Sequence, residues 1–144
     1  MERSDIREPH SRIFASLQFS QREAIGTTQM IVWAARKGFL EENRAVMLDF
    51  MEDAVRVVRW YLDPANHNEA VSIAARLTKQ PPERFAGWLF TDKEYSRSPD
   101  LIPNLAALQA NIEVQREFGF LKGPIDIGKY ADLTIVQGAA ARLK

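Results

Sequence analysis

The 144-residue chain contains no cysteine and only two histidines, His10 and His67. The first absence excludes disulfides, thiol catalysis and cysteine-bound zinc. The second leaves little for imidazole chemistry, because neither histidine stands in an HExxH or comparable metal spacing. Lysine plus arginine equals aspartate plus glutamate, 19 each, for a formal net charge of zero. A nucleic-acid binder normally carries a basic surplus, so no nucleic-acid partner is expected. Apolar runs are only a few residues long, far short of the roughly 20 needed to span a bilayer. No secretory pattern precedes Glu2 and Arg3, so the chain as written is expected to stay in the cytoplasm or to lack its natural beginning. No glycine-rich phosphate loop is present. Gly26-Thr27-Thr28 is a lone glycine followed by hydroxyls; it reads as a turn, or as a loop whose amides could hold a small anion.

What the chain does have is apolar substance: 46% of its residues are hydrophobic, enough for a packed domain. The dominant stretch is Phe39 to Pro64. Met47, Phe50, Met51, Ala54, Val58 and Tyr61 recur at helical spacing. Val46, Val57, Trp60 and Leu62 widen that stripe, which predicts cover on more than one side. Asp49, Glu52, Asp53, Arg56 and Arg59 form the wet strip, with Glu52 and Arg56 in the favourable i,i+4 order. Pro64 ends the helix.

Before this helix, residues 1–11 read as a flexible lead-in to one domain over 12–144. Arg12–Phe19 alternates through Ile13, Ala15, Leu17 and Phe19, a strand pattern with a helical turn as the competitor. Thr28–Ala35 has the β-branched and aromatic content of a buried strand. After Pro64, Asn66 and Glu69 form a capping pair opening a helix over 67–78, with Val71, Ala74, Ala75 and Leu77 inward. Pro81-Pro82 starts another short helix with Phe85, Trp88, Leu89 and Phe90 on one face. The Trp60-Tyr61 and Trp88–Phe90 clusters read as core. Residues 91–100 are turn-like, with Asp92, Glu94 and Asp100 as solvated charges. A helix from Pro103 to about Phe118 places Leu105, Leu108, Ile112 and Phe118 together, with Gly119 as its left-handed cap. Asp126 and Asp132 read as successive N-caps, the second opening a helix over 133–143 despite about 1 kcal/mol of propensity lost at Gly138. The inventory is mostly α with a small β component, an α+β chain whose strands and apolar faces want more cover than it supplies. That predicts a larger body or a homo-oligomer.

No catalytic constellation emerges, and no cofactor is called for. Asp63, His67 and Glu69 could be drawn as a metal cluster, but they straddle a helix break and Glu69 has a capping role.

The stretch GTTQMIVWAARKGFLEENRAVMLDFMEDAVRVVRWYLDPANHNEAVSIAARLTKQPPERF, Gly26 to Phe85, resembles the C-terminal part of solute-binding proteins of ABC importers. The branch is the one for nitrate, aliphatic sulfonates, taurine and thiamine-pyrimidine precursors. The likeness lies in the strand Thr28–Ala35, the Phe39–Arg44 pattern, and a long helix leading to Asp63-Pro64-Ala65-Asn66. It continues through Glu69-Ala70-Val71, the Thr78–Pro81 turn and Lys129-Tyr130-Ala131-Asp132, and runs over about residues 12–143. The resemblance implies the C-terminal portion of a two-lobe α/β type II periplasmic-binding fold, about half of such a protein. It implies a periplasmic, non-catalytic receptor that closes on a small solute and presents it to an ABC permease. The hinge would match Gln21–Gln29, with Thr27, Thr28 and Gln29 as cleft contacts. A related branch makes a pyrimidine precursor; an enzyme of that kind would need a histidine, His10 or His67.

Overall fold

The computed structural model describes residues 26–29, 31–91 and 97–143. They form five α-helices: α1 Lys37–Glu42, α2 Arg44–Leu62, α3 His67–Thr78, α4 Leu105–Glu117 and α5 Thr134–Arg142. Single 3-10 turns occupy Pro64–Asn66, Pro82–Arg84 and Ile127–Lys129. The structure is thus mostly helical, and the described residues contain no strand. The strand expected over Arg12–Phe19 lies outside the described residues. The strand expected over Thr28–Ala35 does not form: its described residues are non-helical, but no ladder joins them to another segment. A strand exists only through its partner, and among the described residues none is alongside.

The long helical pattern begins two residues before Phe39 and pauses at Asn43 (φ −118°, ψ 24°). Both the backbone amide of Asn43 and its side-chain Nδ2 donate to the Phe39 carbonyl, at 3.0 and 2.9 Å. Asparagine competes for helix carbonyls in this way, and here the competition separates α1 from α2.

The core is the contact of α2 with α5. Met51 and Val55 of α2 pack with Ile135, Val136, Ala139 and Ala140 of α5. Arg44 Nη2 donates to Thr134 Oγ1 at 2.6 Å, Leu48 lies against Gly138, and Arg59 Nη1 donates to the Leu143 carbonyl at 3.0 Å. Residue numbers rise together along both helices, so the two run in the same direction. Gly138 has a packing role: a Cβ there would sit 3.0 Å from Leu48 Cδ2. The propensity it costs is exchanged for room for the tip of the Leu48 side chain. Val55, outside the apolar stripe read from spacing, is the most completely buried large side chain.

The second side of α2 is not covered as expected. Val46, Phe50 and Val57 remain 66, 51 and 57% exposed. Among the described residues α5 gives this helix its main cover, with smaller contacts from α1 and α3, so one face is dry and the next is open.

Asp63 caps the junction after α2, accepting from Ala65 N at 2.9 Å. Asn66 does not cap α3 with its side chain; it donates Nδ2 to the Trp60 carbonyl at 2.9 Å and ties the junction back to α2. In α3, Ala70, Val71 and Ala75 are buried, whereas Leu77 is 75% exposed. The short helix expected after Pro82 reduces to one 3-10 turn and a run of turns. There the Trp88 indole donates to the Arg84 carbonyl at 2.6 Å, an oxygen that a continuing helix would need.

Asn104 caps α4 through Ala107 N at 2.9 Å. Phe118, expected on the inner side of α4, is instead 74% exposed. Gly119 turns the chain at φ +76°, the left-handed position glycine adopts most readily. Asp126 caps its 3-10 turn as the sequence suggested, accepting from Gly128 N at 3.0 Å. Asp132 is not the N-cap of α5: the helix opens one residue later, at Thr134, with Leu133 in the cap position, and Asp132 accepts from Thr134 N at 2.9 Å from one place further out.

Candidate functional site

The open face of α2 is the floor of a solvent-open groove of about 990 Å³. Phe50, Met51, Ala54, Val57, Val58 and Tyr61 provide the floor from one helix, at the spacing that made the stripe visible in the sequence. Residues 31–35 with Phe39 and Leu40 of α1 add further lining. Met47, Leu101, Ile102, Pro103, Leu133, Ile135 and Val136 complete the apolar part. Trp33 leans on Phe50 with ring centres 5.1 Å apart and planes tilted by 46°, a favoured aromatic geometry. Trp33 is nevertheless 59% exposed.

Polar side-chain groups in the lining come from Gln29, Asp53, Arg97, Ser98, Asp132, the Tyr61 hydroxyl and the Trp33 indole. The Tyr61 and Phe90 rings stack at 4.3 Å, and the Arg97 guanidinium lies 5.7 and 5.9 Å from their centres. Arg97 Nη1 also donates to the Tyr61 hydroxyl at 3.0 Å. Cation–π attraction and this hydrogen bond hold residue 97 to α2 from 36 positions away. Asp132 is held below the ordinary carboxylate range, first by the Thr134 hydroxyl and backbone amide and then by the Arg44 charge.

Of the three residues suggested for solute contact, only Gln29 lines the groove; Thr27 and Thr28 stand outside its lining. Gln29 acts as a latch. Its Oε1 accepts from Asn104 N at 2.9 Å and its carbonyl accepts from Asn111 Nδ2 at 3.0 Å. Its Nε2 donates to the Ile31 carbonyl at 2.7 Å. The incoming chain is thereby fixed to the start of α4, which sets the path of residues 31–35 beside the groove.

His67 makes its ring contact with the Ala86 carbonyl, Nε2 to O at 3.0 Å. Asp63 is engaged in its cap, and no group of three or more metal-ligating side chains converges among the described residues. His10, Asp92 and Glu94 lie outside the described residues. Asp100 is not the solvated charge expected: it accepts from Arg59 Nε at 3.0 Å and Nη2 at 2.6 Å. Arg59 correspondingly leaves the wet strip to which spacing assigned it. Nothing local in the sequence announces this pair, whose members are 41 residues apart.

What the arrangement offers chemically is an apolar surface with aromatic side chains and a few polar groups, suited to burying apolar matter. Comparison with protein-family models, curated proteins and solved structures finds no match for the chain. Among the described residues, no helix is long and apolar enough to cross a membrane.

Proposed function

We propose that the chain is the C-terminal part of a solute-binding protein of an ABC importer. In this reading it helps hold a small organic or inorganic anion, or a pyrimidine-like solute, in the periplasm and presents it to a permease without breaking a bond. The observation behind the reading is the non-helical segment at residues 31–35. It has strand composition and no strand partner among the described residues, and it flanks an open apolar groove. Such a segment suits one strand of a sheet completed by another part of a two-lobed α/β body. The order of elements agrees with the resemblance in the sequence: this segment, a long helix, the Asp63–Asn66 junction folded as a turn, then a second helix. Thr27, Thr28 and Gln29 remain the proposed cleft contacts, with Gln29 also positioning the hinge.

Calorimetric titration with nitrate, taurine, an aliphatic sulfonate and a pyrimidine amine tests the reading, on this chain and on a longer reading frame that supplies a first lobe. Saturable binding of one class by the longer protein is expected. A folded longer protein that binds none of them would overturn the proposal.

A second reading is favoured by the exposure of Trp33, Phe39 and Phe50, at 59, 50 and 51%, on one groove. Here the chain is a self-associating helical module whose groove is covered by another copy. Sedimentation velocity over a hundredfold concentration range separates the two readings. A strictly monomeric chain throughout removes the second.

A further inference from the structure

We draw no further inference here: the strongest candidate outside the groove, the exposed surface patch of Phe118 and Phe120 just after α4, is an unpartnered apolar face, and nothing in the structure shows what covers it.

Discussion

Arg59 and Asp100 join three parts of the molecule through one guanidinium. Its Nε and Nη2 donate to a single Asp100 carboxylate oxygen at 3.0 and 2.6 Å. Its Nη1 donates to the Leu143 carbonyl at 3.0 Å, beyond the last turn of α5. A cation placed there satisfies helix-end carbonyls that have no partner within the helix and opposes the negative end of its dipole. Because α2 and α5 run in the same direction, Arg59 serves the C-terminal ends of both.

Both side chains are about one-third exposed, so solvent screens the pair and its charge alone is worth little. The carbonyl bonds add to this. Arg59→Ala is expected to lower unfolding free energy by about 1–2 kcal/mol, read by urea denaturation. Arg59→Lys should recover only part of the loss, since an ammonium cannot reproduce the fork. Full recovery by lysine would show that charge, not geometry, is what matters.

Gly138 gives a sharper contrast. Alanine would gain about 1 kcal/mol of helix propensity but place a methyl 3.0 Å from Leu48 Cδ2. Leu48 can rotate at some cost, so Gly138→Ala is expected to be close to neutral. Gly138→Leu should destabilise by about 1–3 kcal/mol through overpacking. With Leu48→Ala as background, the obstacle is gone and Gly138→Ala should become stabilising. A double-mutant cycle showing no coupling between the two positions would refute the contact between Leu48 and residue 138.

The α2 stripe, the cap at Asp126 and the turn at Gly119 were legible because each is a local rule: helical period, a side-chain oxygen before a free amide, a left-handed glycine. The Arg59–Asp100 and Arg97–Tyr61 contacts were not, because they depend on where residues 97–101 pass relative to α2. Thr28–Ala35 misled for a related reason. Its composition describes a residue's fitness for a sheet, whereas the ladder requires a second segment. Val57 and Val55 show the limit of periodicity most plainly: both are apolar, and only the packing of α5 decides which one is dry.

Asp132 supplies a pH dependence. Its folded-state pKa lies below the ordinary value because Thr134 hydrogen bonds and Arg44 favour the charged form. The stabilisation is therefore fully present above the unfolded value of about 4. It is lost as pH falls through the lowered folded value, when the carboxylate takes up a proton. Asp132→Ala should cost about 0.5 kcal/mol at pH 7, the scale of one exposed hydrogen bond to Thr134 with a solvent-screened contact to Arg44. The gap between wild type and variant should narrow at pH values below that of a free aspartate. Denaturant titrations at neutral and acid pH measure it, and a gap that widened in acid would reverse the assignment.

The two valines of α2 separate the packed face from the open one. Val55 is fully buried against α5, whereas Val57, two residues on, is 57% exposed in the groove. Val55→Ala removes two buried methyl groups and leaves a space, for an expected loss of about 2 kcal/mol. Val57→Ala should change stability by less than about 0.5 kcal/mol in this chain. If the groove is covered in a longer protein or an assembly, the ranking changes there: Val57→Ala should then cost about as much as Val55→Ala. Equal and small effects of Val57→Ala in both settings, measured by urea unfolding of each, would mean that nothing covers the groove.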